Sequence, residues 1–233
     1  MRNTLLAASV FALTGTAASA ATTETGALGA GEPGFIGILE ATFGGTFSRS
    51  GADYVSGSVT AFRVADDGSD SSIGAGLYTA ELVASYSDNI QEFGILTDTG
   101  FQMLDMTDQF GMLNSAPVVF NAESATTLVA RDGGESGLHT SDPALNPGGR
   151  VQLITFLIEE EDGDESLLLF WEDLSEQPGI GKNRTKADFN DLVVRLSSVD
   201  SASAVVPIPA SALGGLLILG GVGALGVVRK LRK

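Results

Sequence analysis

Val151-Gln152-Leu153-Ile154-Thr155-Phe156-Leu157-Ile158, then Glu159 to Glu165, then Leu167-Leu168-Leu169-Phe170-Trp171 is the stretch that decides the fold. Two apolar runs of strand length flank an acidic connection that contains Asp162-Gly163, a strong short-range signal for a β-hairpin. Both arms are apolar at consecutive positions, so each presents apolar side chains to both faces of its sheet. That pattern belongs to central strands rather than to an edge.

Working outward, strand-like stretches recur with turn residues between them, and no amphipathic helix of three turns stands out. Phe35 to Phe47, Tyr54 to Val64 and Tyr78 to Tyr86 alternate in the manner of half-buried strands. Pro117-Val118-Val119-Phe120 and Thr127-Leu128-Val129-Ala130 are short strand candidates, and Leu192-Val193-Val194-Arg195-Leu196 is a last strand. Asp66-Asp67-Gly68-Ser69-Asp70 and Asp132-Gly133-Gly134 carry turn chemistry. Short strands with frequent turns predict an all-β domain, a jelly-roll-like β-sandwich over 35–197. An N-terminal signal helix and one C-terminal transmembrane helix flank it.

Those flanks are read from their own chemistry. Met1-Arg2-Asn3, the apolar Leu5 to Leu13 and the small residues Ala18-Ser19-Ala20 form a signal peptide over 1–20, with signal peptidase cutting between Ala20 and Ala21. Residues 21–34 are a Thr/Gly/Ala-rich flexible leader. At the other end, 198–210 is a linker that closes on Val206-Pro207-Ile208-Pro209-Ala210. Residues 211–228 are apolar and uncharged, and 229–233 form a basic cytoplasmic tail, Arg229-Lys230-Leu231-Arg232-Lys233. A helix over Ala212 to Val228 rises about 25 Å, short of a hydrocarbon core of about 30 Å. The expected span is therefore marginal and suits a temporary anchor in the inner membrane.

The pattern of Val206-Pro207-Ile208-Pro209-Ala210, a Gly/Leu-rich apolar segment and a basic end resembles the PEP-CTERM class of bacterial sorting signals, in its V-P-x-P-A variant. Ile208 stands where the better-known form has Glu. The resemblance implies a Gram-negative exporter, and an exosortase that cuts near the motif and delivers the protein to the cell surface or outside. It also implies an association with exopolysaccharide and biofilm.

Composition narrows the chemistry. Removing Arg2, Arg229, Lys230, Arg232 and Lys233 from 13 basic residues leaves 8 against 29 acidic ones, about −21 for the exported part. Such a surface repels nucleic acid and anionic lipid. The chain has no Cys and a single His, His139. Disulfides and thiolate metal sites are thus unavailable, and imidazole acid–base chemistry is confined to one position.

Gly137-Leu138-His139-Thr140-Ser141-Asp142-Pro143-Ala144-Leu145-Asn146-Pro147-Gly148-Gly149 is similar to a block of a widespread bacterial secreted domain of unknown function. So are Phe170-Trp171-Glu172-Asp173-Leu174 and Ala187-Asp188-Phe189-Asn190-Asp191-Leu192-Val193-Val194. The resemblance implies an extracellular architecture and no particular activity. Lys186-Ala187 stands before Asp188, where that family often has Gly-Asp-Arg.

The best oxygen-rich cluster is Asp188, Asn190 and Asp191, facing Glu172 and Asp173 across a long loop. Carboxylates and amides at this density suit Ca2+, which takes six to eight oxygen ligands. The competing readings are a structural turn, with Asp and Asn capping backbone N–H groups where the last strand begins, and plain salt bridges from Lys182, Arg184 and Lys186 nearby. Asp66, Asp67 and Asp70 lack the spacing of a calcium loop and read as a solvated turn. Glu159 to Glu165 carries six carboxylates and reads as an exposed tip, with weak cation binding as the sharper alternative.

No catalytic site is expected. His139 lacks a converging nucleophile in sequence, and no G-x-S-x-G elbow occurs. It reads as an ordinary loop histidine. The G-x-G-x-x-G patterns at Gly29 to Gly34 and Gly221 to Gly226 lack a strand–turn–helix context. Trp171 lies in an apolar strand and reads as core, leaving Tyr54, Tyr78, Tyr86 and polar loops as the only sugar-binding candidates. These features predict a structural or adhesive protein of the extracellular matrix, with Ca2+ as a candidate stabiliser and exopolysaccharide as a candidate partner. A hydrolase built on acidic residues is the alternative.

Overall fold

The computed structural model describes residues 32–64, 71–133, 137–172 and 189–199. The expected signal peptide, most of the expected leader, the expected turn at Asp66–Asp70, Asp173, Asp188, Val206-Pro207-Ile208-Pro209-Ala210, the apolar 211–228 segment and the basic 229–233 end lie outside the described residues. Among the described residues no helix is long and apolar enough to cross a membrane.

The deciding hairpin is formed by β11 (Leu153–Glu160) and β12 (Glu165–Trp171), paired antiparallel from Leu153↔Trp171 to Glu159↔Glu165. Its loop closes with the Gly163 amide on the Glu160 carbonyl at 2.9 Å and Gly163 at φ 85°, the left-handed conformation a Gly adopts without a Cβ clash. On its flanks lie β3 (Val59–Arg63), against β11, and β13 (Leu192–Ser198), against β12. Further out come β1 (Ser48–Ser50) and β2 (Asp53–Val55) on one side. On the other are β4 (Gly76–Ser85), β7 (Gly111–Met112) and β8 (Val118–Ala122). Together these make a nine-stranded antiparallel sheet. Between β7 and β8 the Ser115 hydroxyl accepts from the Leu82 amide at 2.8 Å and donates to its carbonyl at 3.1 Å, standing in for the missing strand.

A second, four-stranded sheet has the order β10 (Leu138–Thr140), β9 (Thr127–Asp132), β5 (Gln91–Thr97), β6 (Gly100–Thr107). Its inward Phe93, Ile95, Leu128 and Ala130 share one buried cluster with Leu153, Leu167, Leu169, Trp171, Leu192, Val194 and Leu196 of the large sheet. The alternate residues Ile154, Phe156, Ile158, Leu168, Phe170 and Val193 form a second cluster on the opposite face. That face is covered by α1 (Phe35–Phe43), whose Ile38 and Leu39 are fully buried there. Phe35 sets its ring edge-on to Phe170 at 4.7 Å and to Phe156 at 5.4 Å.

The all-β expectation holds for the body of the domain, but Phe35 to Phe47 is not a strand. Phe35, Ile38, Leu39 and Phe43 follow helical spacing, whereas the odd-position alternation rests on Gly37, Ala41 and Gly45, which have little to bury. The helix answers the question raised by the hairpin, because strands apolar on both faces require cover on both. Tyr54 to Val64 is a tight hairpin, β2 to β3, rather than one strand: the Ser56 amide donates to the Val59 carbonyl at 2.9 Å. Tyr78 to Ser85, Val118 to Phe120, Thr127 to Ala130 and Leu192 to Leu196 are strands as expected, and β13 runs on to Ser198, the first residue of the expected linker.

Candidate functional site

The predicted oxygen cluster falls where β12 ends and β13 begins. Glu172 follows Trp171 and still belongs to the ladder, its amide donating to the Gln152 carbonyl at 3.1 Å. Its side chain is only 2 % exposed, and its carboxylate accepts from the Phe189 amide at 3.3 Å. Phe189 has φ 56°, and it is the only non-Gly residue with positive φ among the described residues. For an L-residue of this size that conformation costs about 1–2 kcal/mol. Burying the ring at 1 % exposure among Ile38, Phe170 and Val193 offsets it, since a fully buried Phe contributes about 1.5–3 kcal/mol.

The reversal at Phe189 turns Asn190 inward, at 1 % exposure. Its Nδ2 donates to the Pro33 carbonyl at 3.4 Å, tying the start of β13 to the entrance of α1. Pro33 is held over the first helical turn at Gly37, where a Cβ would lie 2.8 Å from the Pro33 Cβ. The opposite amide orientation would set two carbonyl oxygens against each other, so the donor must face Pro33. Asn190 Oδ1 consequently points away from Pro33 and has no hydrogen-bond partner. One residue on, the Asp191 carbonyl accepts from the Tyr86 amide at 3.2 Å and the Ser85 hydroxyl at 2.9 Å. Beside this junction the Tyr86 phenol is pushed up from its ordinary pKa by burial, and further by the negative charge of Glu32.

The structure thus brings Glu172 to the amide of the residue before Asn190 and gives Asp191 a structural task through its main chain. Asp173 and Asp188 lie outside the described residues. Among the described residues no three His, Cys, Asp or Glu side chains converge as a metal set. Among the described residues the corner holds one buried carboxylate, Glu172, and one amide oxygen without a hydrogen-bond partner, Asn190 Oδ1. The signal for the first was the Phe170-Trp171-Glu172 run; nothing in the sequence could show that Asn190 would have its oxygen unpaired.

The other candidates resolve differently. His139 is not a loop residue: it lies on β10 opposite Ala130 and is buried. The Ser141 hydroxyl beside it is engaged with main chain, accepting from the Leu128 amide at 3.0 Å and donating to the Ser71 carbonyl at 2.7 Å. Asn146, which sequence reasoning passed over, is the knot of this loop. Its Oδ1 accepts from the Thr140 amide and hydroxyl, and its Nδ2 donates to the Thr140 and Arg150 carbonyls.

Tyr78 and Tyr86 are buried, and the partly buried Tyr54 packs on Phe156 at 5.6 Å, so the three tyrosines contribute to the two cores. Trp171 is core, as expected. At the acidic tip Glu160 pairs with Arg195, while Glu159 and Glu165 stand directly opposite each other. No family model, curated protein or solved structure proves similar to this chain.

Proposed function

We propose that this chain is an exported structural or adhesive component of a bacterial cell surface or extracellular matrix, associated with exopolysaccharide, built on a jelly-roll-like sandwich. In this reading the leader takes it through the inner membrane, signal peptidase cuts between Ala20 and Ala21, and residues 211–228 hold it transiently. An exosortase then cuts at Val206-Pro207-Ile208-Pro209-Ala210 and releases the domain outward. The observation that carries the reading is the three-part order of 206–233: a Pro-marked motif, an apolar segment of marginal spanning length, and a basic stop. A surface near −21 suits a soluble life among extracellular cations.

Support also comes from the domain's interior. Its Trp, its His and two of its three tyrosines are buried in the domain. These side chains serve the architecture of the domain.

The test replaces Pro207 and Pro209 together by Ala in a Gram-negative host that carries an exosortase. The reading predicts that the native chain reaches the surface or medium while the variant accumulates, uncut, in the inner membrane. Equal distribution of the two forms would remove the sorting role of the motif.

A further inference from the structure

We propose that Asp105 is a gate on the open edge of the small sheet. Its carboxylate occupies the Met106 amide and, together with the bulge at Leu104, keeps β6 from pairing with β6 of a second copy of this chain. The proposal is independent of the export reading, and its failure would leave that reading untouched.

A strand that ends a sheet presents unpaired N–H and C=O groups, on which another strand can add. Among the described residues β6 ends the small sheet, with β5 on one side only. It is eight residues long, and its Met103 and Met106 are 48 % and 55 % exposed. A long edge with exposed apolar side chains pairs with its like unless something closes it.

Two features close this one. The Asp105 carboxylate accepts from the Met106 amide at 2.8 Å, so a main-chain donor that an incoming strand would use is already bound within β6. The step in register leaves Leu104 extra, and such a bulge bends the strand and interrupts its pairing. Asp105 also stands opposite Phe93, which is fully buried, so a charge holds a register position that belongs to inward side chains. In a two-fold pair of β6 edges the two carboxylates would approach and repel each other.

The other sheet ends are closed by related means. At β10, three residues long, the Asn146 side chain takes both main-chain groups of Thr140, its N–H at 2.7 Å and its C=O at 2.9 Å. In the large sheet the Ser115 hydroxyl takes both groups of Leu82 in the gap between β7 and β8, and β1 has only three residues. Of these ends β6 is the longest, and its closure rests on one side chain and one bulge. It is the edge that a single substitution should open.

Sedimentation velocity of the full chain, with detergent in excess over protein, measures self-association. The native chain sets the baseline, any contribution of residues 211–228 included. Asp105→Val removes both the charge and the acceptor while favouring a strand. Each copy regains an amide donor and loses a facing carboxylate, so self-association should tighten about tenfold or more. Adding Met103→Lys and Met106→Lys, which place charge on the same edge, should return it to the native baseline.

The emission maximum of Trp171, buried at 1 % exposure, reports that each variant is folded. Equal self-association of the native and the folded Asp105→Val chains, or a gain that the two lysines leave in place, would overturn the proposal. Should Asp105→Val unfold, the native chain decides by itself: hydrogen exchange at the β6 amides should be the same at low and high protein concentration. Exchange that slows as concentration rises would mean that the edge already pairs, and the gate would be refuted.

Discussion

Replacing Ile36 and Ile38, each by Ala, separates the two conformations available to the Phe35–Phe43 stretch. On a strand, residues two apart share a face, so the two substitutions would act alike. On a helix they are about 200° apart. Ile38 is 0 % exposed against the large sheet, while Ile36 is 37 % exposed. Truncating a fully buried Ile removes its transfer free energy and leaves a cavity, for a loss of about 2–5 kcal/mol. At Ile36 the lost contact is partial and Ala has the higher helix propensity, so the net change stays within about 0.5 kcal/mol of zero. Urea unfolding of the two variants measures this directly. Ile38→Ala should lower the midpoint markedly with the slope unchanged, and Ile36→Ala should leave it in place. Matching shifts for the two variants would refute a helix there, and with it the cover on the second face of the sheet.

Gly94→Ala places a Cβ 2.1 Å from the Gln102 carbonyl oxygen, a backbone atom that cannot move aside, and should destabilise by about 3 kcal/mol or more in a thermal melt. Adding Phe101→Ala should not restore stability, because the clash with Gln102 remains. Tyr78→Phe removes the hydroxyl that donates to the Gly74 carbonyl at 3.0 Å and should cost about 1 kcal/mol by urea titration. Burial raises the pKa of both Tyr78 and Tyr86, with the charge of Glu32 adding to the effect at Tyr86. Folding therefore favours the neutral phenols. Their contribution is intact below the ordinary phenol pKa of about 10 and is lost as pH rises through the higher folded-state values. Melting temperature followed from pH 9 to 12 should fall less steeply in Tyr86→Phe than in the native chain, and identical slopes would contradict this assignment.

The hairpin from Leu153 to Trp171 was legible because apolar runs of strand length flank Asp162-Gly163, and local sequence decides both pairing and turn. Apolar residues at consecutive positions also announced that both faces are covered, yet the cover itself was misassigned. In Phe35 to Phe47 the helical set and the odd-position set overlap at Phe35, Leu39 and Phe43, so only the weight given to Gly37, Ala41 and Gly45 separates them. The β5–β6 hairpin went unread for a different reason. Gly94 interrupts β5, and the register steps from Phe93↔Asp105 to Gly94↔Met103, leaving Leu104 as an extra residue. That bulge destroys the period of two on β6, where Met103 and Met106 face outward and exposed. At the candidate site, residue types pointed to Glu172 and Asn190. The left-handed turn at Phe189 and the unpaired oxygen at Asn190 arise from tertiary contacts with Pro33 and α1, which no local pattern encodes.

The central claim is that this domain is delivered by cleavage near Val206-Pro207-Ile208-Pro209-Ala210. Intact-mass analysis of the protein recovered from the surface or medium of its native host tests it most directly. The account predicts a mature chain that begins at Ala21 and ends near that motif, without the apolar segment and without Arg229-Lys230-Leu231-Arg232-Lys233. Molecules that all retain the basic end would contradict it and leave residues 211–228 as a permanent anchor.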